Sequence, residues 1–290
     1  MAIDITFLRE LDRFDVILKK RVHSSYSGLH QSKNYGTGLV FYDYRSYTPG
    51  DDFRTIDWRA YARTETFFVK RFEEEKNARI HVVIDASASM NYGDKVKKFE
   101  YAAQIGIGFC YMALRNNERF EISTFADQLQ IFRAKKGMST LMSTIDILNK
   151  VTPKGHSNFQ VSLEQYKAAI KHKSMVIIIS DFLFDPEELK ETLFRYKKSE
   201  VVVIQVLDVT ERELALQGDV ILTDSETADR MRTFISNRLI ENYSNELLEH
   251  IYKIKNVCEA FNVKFISVST ETPVFDCFYN VLGRAERTII

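Results

Sequence analysis

Three loops of this chain carry acidic and hydroxyl side chains at positions where α/β proteins commonly bind ligands. The apolar run Ile80–Ile84 leads into Asp85–Ser89, and Met175–Ser180 leads into Asp181. A third loop, at residues 155–158, reads Gly-His-Ser-Asn and comes directly before a helical pattern. Ligands of open parallel sheets bind beyond the carboxyl ends of the strands, so we expect these loops to meet. The candidate ligands that they supply are Asp85, Ser87, Ser89, Ser157 and Asp181.

The chemistry of these five side chains indicates a hard metal ion. Carboxylates and hydroxyls offer oxygen atoms alone, which Mg²⁺ or Mn²⁺ prefers and Zn²⁺ does not. Two carboxylates neutralise a divalent ion without saturating it, because Mg²⁺ keeps waters readily. We therefore predict that one coordination position stays open to an Asp or Glu side chain of a partner protein.

The elements that must position these residues are predicted from residue 79 onward. Short β-branched runs alternate with longer stretches of helical period, which is typical of a mostly parallel sheet with helices on both faces. Residues 79–290 are therefore expected to form a Rossmann-like α/β domain. A short apolar run after Gly218 predicts a small hairpin at the sheet edge. The predicted strands are Ile80–Ile84, Phe120–Thr124, Met175–Ser180, Val201–Leu207 and Val263–Val268, and the predicted helices cover residues 94–115, 159–171, 186–198 and 236–261.

Residues 1–78 have a different pattern and are predicted to form an N-terminal helix and β-strand extension that packs on the main domain. Within this extension, Arg45–Arg63 combines a Pro-Gly turn signal with interleaved acidic and basic residues. We expect Trp58 to be a buried anchor. The acidic residues of the segment are expected to pair with three of its arginines, as Asp51, Asp52 and Asp57 with Arg54, Arg59 and Arg63. The alternative, that this segment is a docking surface, stays open.

Composition excludes several classes of protein. The chain has 290 residues with 40 Lys+Arg, 40 Asp+Glu, 11 Gly and 4 Pro, so it is predicted to be globular and to lack the basic field that binds nucleic acid. Its three cysteines are far apart and form no CxxC pair, which favours neither a disulfide framework nor a zinc site. No apolar run is long enough to cross a bilayer. We expect a cytoplasmic protein without membrane insertion.

The motif formed by Asp85, Ser87, Ser89 and Asp181 resembles the metal-ion-dependent adhesion site of von Willebrand factor A domains, in which Ser157 would replace the usual Thr. The segment Arg45–Arg63 resembles the signature of a bacterial family known as domain of unknown function fifty-eight. In that family the signature precedes a von Willebrand A-like domain, so the resemblance implies such a domain here. It also implies a partnership with MoxR-type AAA+ ATPases in the assembly or activation of other proteins.

The leading hypothesis is thus a non-enzymatic interaction protein with a Mg²⁺ or Mn²⁺ site. One alternative is a Mg²⁺-dependent phosphatase or phosphotransferase on a similar sheet. Dehalogenase-type enzymes require a second Asp where this chain has Ser87, and a serine hydroxyl is a poor general acid. The other alternative is a scaffold with the same fold and an empty metal site.

Overall fold

The computed structural model describes residues 3, 6–8, 11, 35–36, 40–73, 79–116, 118–132, 137–170, 174–214, 218–225 and 229–282. The chain forms two compact units, one of residues 16–77 and one of residues 1–15 with 78–290. The first 15 residues, which the sequence pattern assigned to the extension, thus group with the larger unit. The predicted domain division at residue 78, and the packing of the extension on the main domain, stay predictions.

The described residues contain eleven strands and eight α-helices. The strands are β1 (Tyr35–Gly36), β2 (Val40–Ser46), β3 (Phe68–Glu73), β4 (Arg79–Asp85), β5 (Arg119–Phe125), β6 (Leu129–Phe132), β7 (Met175–Ser180), β8 (Glu200–Leu207), β9 (Gly218–Thr223), β10 (Arg230–Ile235) and β11 (Lys264–Ser269). The helices are α1 (Trp58–Thr64), α2 (Lys98–Arg115), α3 (Met138–Leu148), α4 (Phe159–Ala169), α5 (Pro186–Arg195), α6 (Val209–Arg212), α7 (Asn237–Ala260) and α8 (Val274–Leu282).

Six strands of the larger unit form one sheet in the order β11-β8-β7-β4-β5-β6. All neighbours pair in parallel except β6, which pairs antiparallel with β5 at the edge. Strands β4 and β7 are central, and their residues are almost all buried because helices cover both faces of the sheet. The predicted α/β fold class is confirmed.

Helices α2, α3 and α8 cover one face of this sheet, and α4, α5 and α7 cover the other. Helix α2 lies close to β4, since a Cβ atom added at Gly106 would approach the side chains of Val82 and Ile84 to 3.0 Å. The opposite core contains Val83 with the rings of Phe159 and Phe182. Residues of the N-terminus join the first face, where the Phe7 ring stacks on Phe278 with centroids 6.5 Å apart.

The predicted hairpin after Gly218 is present, but it is a separate two-stranded sheet of β9 and β10. It therefore does not extend the edge of the six-stranded sheet. None of the helices in the described part of the chain combines enough length with enough apolar character to span a bilayer.

The smaller unit contains an antiparallel sheet in the order β1-β3-β2 and the short helix α1. The Asp57 side chain caps α1 by accepting hydrogen bonds from the amides of Arg59 and Ala60, at 3.0 and 3.3 Å. Asp52 caps the preceding 3-10 turn in the same way, through the amide of Arg54. Asp51 forms a bidentate ion pair with Arg45, at 2.6 Å for each contact, and not with one of the three arginines predicted for it.

The expectation that Trp58 is a buried anchor is wrong. Its side chain is 57% exposed, and its ring meets Tyr61 and Phe67 only edge-on, with centroids 6.3 Å apart in both cases. The residues that are buried around α1 are Ile56, Ala60 and Val69. A large aromatic at the first position of a short helix points outward here because the small Ala60 occupies the inward side.

We predict that Trp58→Ala lowers the free energy of unfolding by only about 1 kcal/mol, because edge contacts and little buried area are lost. The matched change Ile56→Ala, at a buried position of the same unit, should cost about 2 to 5 kcal/mol. Urea denaturation of both variants measures the difference. A loss for Trp58→Ala as large as that for Ile56→Ala would contradict the exposed position.

Candidate metal centre

Asp85 lies at the carboxyl end of β4 and its side chain is completely buried. Its Oδ1 accepts a hydrogen bond from the amide of Ser87 at 2.8 Å. Its Oδ2 accepts from the hydroxyls of Ser157 at 2.9 Å and Ser180 at 2.8 Å. Three donors, two from loops and one from the end of β7, therefore converge on this carboxylate, as is usual for a buried charged group.

Ser87 and Ser89 belong to the connection between β4 and α2, which contains a 3-10 turn. Ser87 is the buried N-cap of this turn, whereas Ser89 lies within the turn and is half-buried. Their hydroxyl oxygens are 3.1 Å apart. The spacing of two residues thus places both hydroxyls on one side of the turn, next to Asp85.

Ser157 is brought to Asp85 by a loop that is tied to the same turn. The amide of Ala88 donates to the Gly155 carbonyl, and the amide of Lys154 donates to the Ala86 carbonyl, both at 2.9 Å. Gly155 has a φ of +81°, and a Cβ atom there would overlap the carboxylate of Asp127. Asp127 in turn accepts from the amide of His156 at 3.0 Å, so the conformation of the loop depends on glycine at this point.

Asp181 follows β7, the strand that pairs with β4, and it is 3% exposed. Its carbonyl oxygen accepts from the Gln205 side chain at 2.9 Å. The next residue, Phe182, has a φ of +52° and a buried ring, and its amide donates to the Ser180 hydroxyl at 3.1 Å. Ser180 therefore links the two acidic residues, since its hydroxyl also lies 3.5 Å from Asp181 Oδ1.

Two charged residues that the sequence analysis did not predict complete the centre. The Lys98 side chain, at the start of α2, is fully buried, and its Nζ donates to Asp181 Oδ2 at 2.9 Å. The same Nζ donates to Glu211 Oε1 at 2.6 Å. The signal in the sequence was a lysine at the first position of a largely apolar helix, which the helical pattern alone does not distinguish from a solvent-facing lysine.

The buried charges alter the proton affinities of the centre. Burial, and then the nearby Asp181 carboxylate, raise the pKa of Asp85 from 3.8 to about 6. Burial by itself would lower the pKa of Lys98, but the charges of Asp181 and Glu211 outweigh burial and raise it. Burial raises the pKa of Glu211, although Lys98 opposes this shift. Lys98 is therefore charged. Because burial and a second carboxylate disfavour the charged form of Asp85, a further positive charge beside Asp85 would be favourable.

The five predicted ligands thus lie around one point at the carboxyl edge of the sheet, either in direct contact or joined by Ser180. Within the described residues, His, Cys, Asp and Glu side chains nowhere form a group of three or more suited to a metal ion. A metal held here would depend on hydroxyl ligands as well as on Asp85 and Asp181. The donor set contains oxygen alone, which fits Mg²⁺ or Mn²⁺. The assignment of the five residues as metal ligands stays a prediction.

The fold and the centre together define an α/β protein with buried carboxylates and hydroxyls at the carboxyl edge of a mostly parallel sheet. The chain belongs to the family described as "Protein of unknown function DUF58", whose profile matches residues 43–251. The match includes the segment Arg45–Arg63 and all residues of the candidate centre. The family resemblance seen in the sequence is therefore confirmed.

The chain is also similar to individual proteins. Those named "Uncharacterized protein Mb1516" of Mycobacterium bovis and "Uncharacterized protein Rv1480" of Mycobacterium tuberculosis are each 23% identical over 266 residues, or 90% of this chain and 84% of theirs. Among solved structures, BatB of Bacteroides thetaiotaomicron matches with 13% identity and a TM-score of 0.43, over 70% of this chain and 97% of BatB. Proximal thread matrix protein 1 of the mussel byssus, with a zinc-occupied MIDAS motif, matches with 23% identity and a TM-score of 0.32, over 44% and 35% of the two chains. At these TM-scores the structural likenesses carry no conclusion about this chain.

We predict that Gly155→Ala destabilises the protein by about 1 to 3 kcal/mol, because it adds a clash with Asp127 to an unfavourable φ. Gly137→Ala is the matched control, since Gly137 has a φ of +118° and no described atom within 4 Å of the added Cβ. Thermal unfolding of both variants separates the clash from the backbone strain. Equal losses in the two variants would contradict the contact between Gly155 and Asp127.

Proposed function

We propose that this chain is a non-enzymatic interaction protein that holds Mg²⁺ or Mn²⁺ at Asp85, Ser87, Ser89, Ser157 and Asp181 and uses it to bind an acidic residue of a partner. The observation that carries the proposal is the convergence of two buried carboxylates and three hydroxyls from three separate loops. When bound, the metal would supply a positive centre for a carboxylate oxygen of the partner. The protein residues would hold that centre and limit its coordination.

The electrostatics of Asp85 and Asp181 support a cation at this point. Burial and the neighbouring carboxylate both disfavour the charged form of Asp85, as the raised pKa expresses. A divalent ion in contact with both carboxylates would remove this penalty, because its charge matches theirs. Two carboxylates and three hydroxyls neutralise a divalent ion but fill only five positions of an octahedral ion, so one position stays open to a carboxylate oxygen from outside.

The residue two positions after Asp85 favours binding over catalysis. Both oxygens of Asp85 accept hydrogen bonds from the protein, which fixes the orientation of the carboxylate for either role. A phosphatase of the dehalogenase type needs a general acid two residues later, and Ser87 stands there. The geometry thus supports an adhesion-type site better than a phosphoryl-transfer site.

We propose a MoxR-type AAA+ ATPase as the partner, with assembly or activation of other proteins as the shared task. The support for this partner is the family resemblance of Arg45–Arg63, a segment that lies within the matched residues 43–251. All three carboxylates of the segment form contacts within it, through the Asp51–Arg45 pair and the two helix caps. The metal site that we propose would bind the acidic residue of this partner.

We predict that millimolar Mg²⁺ or Mn²⁺ raises the unfolding temperature of the wild-type chain relative to EDTA. Binding at about 100 times Kd adds about 2.7 kcal/mol, which corresponds to a rise of about 5 °C for a chain of this size. Asp85→Asn and Asp181→Asn should abolish the rise, whereas Ser157→Thr should preserve it because the hydroxyl remains. Differential scanning calorimetry measures these shifts.

Asp185→Asn is the matched control for these substitutions. Asp185 is exposed and caps α5 through the amide of Glu187, a role in which Asn serves as well as Asp. This variant should keep the full metal-induced rise. A rise that persists in both Asp85→Asn and Asp181→Asn would overturn the ligand assignment.

We further predict that a purified MoxR-type ATPase from the same organism binds the immobilised chain in Mg²⁺ and that EDTA or Asp85→Asn weakens binding at least about tenfold. The physical reason is loss of the charged contact between the metal and the partner's carboxylate. Biolayer interferometry gives the two affinities. Binding that is equally strong in EDTA would mean that the partner docks elsewhere and would refute the role of the metal centre in this contact.

A further inference from the structure

The centre contains a cation of its own, the ammonium group of Lys98. This side chain is completely buried, and its Nζ lies between Asp181 Oδ2 and Glu211 Oε1, at 2.9 and 2.6 Å. Lys98 shares Asp181 with the proposed metal site but is not one of its oxygen ligands. A buried ammonium of this kind must be paired, since burying an isolated charge is very costly.

We propose that Lys98 is a resident cation that competes with the divalent metal for Asp181, and that Glu211 sets the strength of this competition by drawing the ammonium toward itself. The inference rests on the proposed metal site and assigns the residues that tune its affinity. It makes Lys98 and Glu211 positioning residues with opposite effects on metal binding.

The two oxygens of Asp181 are used unequally. Oδ2 holds the ammonium of Lys98 at 2.9 Å, while the contacts of Oδ1 with the Ser180 hydroxyl and the Leu183 amide are both 3.5 Å long. Oδ1 is thus the oxygen more open to a metal ion. A metal at Oδ1 and an ammonium at Oδ2 would share one carboxylate, so each cation weakens the hold of the other.

Glu211 is fixed in place by contacts that do not involve Lys98. It is the third residue of the short helix α6, and its Oε2 accepts from the amide of Asp208 at 2.9 Å in a capping box. The carbonyl oxygen of Glu211 also accepts from the Tyr243 hydroxyl of α7 at 2.7 Å. A carboxylate held this firmly acts as a permanent counter-charge for the ammonium.

The charges then predict opposite effects for two substitutions. Removing the positive charge of Lys98 removes the cation that shares Asp181 with the metal, which strengthens metal binding. Removing the negative charge of Glu211 strengthens the hold of the ammonium on Asp181, which weakens metal binding. If Lys98 and Glu211 contributed only to packing or stability, the two substitutions would not change the metal affinity in opposite directions.

The test measures Mn²⁺ affinity by isothermal titration calorimetry on the full chain for wild type, Lys98→Met and Glu211→Gln. We expect Kd to fall at least about tenfold in Lys98→Met and to rise at least about threefold in Glu211→Gln, since unit charges a few ångströms away act strongly in a buried site. Met matches the length of the lysine stem, and Gln can keep the capping box. Lys95→Met, at an exposed lysine paired with Glu271, is the control and should leave Kd unchanged.

The outcomes separate this inference from the proposed function. Suppose that Asp85→Asn abolishes metal binding, whereas Lys98→Met and Glu211→Gln leave Kd unchanged. This result would support the proposed metal site and refute the competition between Lys98 and the metal. If Mn²⁺ binds to Lys98→Met but not to wild type, the ammonium of Lys98 excludes the metal from the wild-type site, which would support the inference. Absence of binding in every folded variant would overturn both proposals. If Lys98→Met does not fold by circular dichroism, Glu211→Gln decides, and an unchanged or tighter Kd there refutes the inference.

Discussion

The structure of the larger unit depends on one electrostatic constraint, the burial of two carboxylates at the ends of neighbouring strands. Asp85 and Asp181 are at most 3% exposed, and two like charges in such a place are costly unless donors or cations compensate them. The protein provides both kinds of compensation. Amide and hydroxyl donors converge on Asp85, while the ammonium of Lys98 meets Asp181.

This arrangement follows from the parallel sheet. Ile84 of β4 is in register with Ile179 of β7, so the next residues of the two strands, Asp85 and Ser180, emerge side by side at the same edge. Helix α2 begins beside this edge and packs closely on β4 through Gly106, which directs Lys98 into the centre. The apolar core on both faces therefore does more than stabilise the sheet, because it sets the positions of the charged groups.

Acidic residues in this protein have two distinct roles that sequence patterns do not separate. Asp57, Asp185 and Asp208 cap helices through backbone amides, and each follows the Asp preference for N-terminal positions. Asp85 and Asp181 occupy equally ordinary strand ends, yet both belong to one centre, where the Ser180 hydroxyl links them. The two roles differ because the neighbouring strand and helix surround Asp85 and Asp181 with other polar groups. A local sequence motif does not record these neighbours.

The sequence alone determined the α/β class, five of the six strands of the large sheet and the five candidate ligands, because β-branched runs and strand-end oxygen donors are local signals. Tertiary structure decided the rest. Lys98 contacts Asp181 across 83 residues of sequence and Glu211 across 113 residues. Trp58 is exposed because its neighbours, not its own size, fill the inner side of α1. Pairings over such separations depend on packing of the whole sheet, and no residue spacing encodes them.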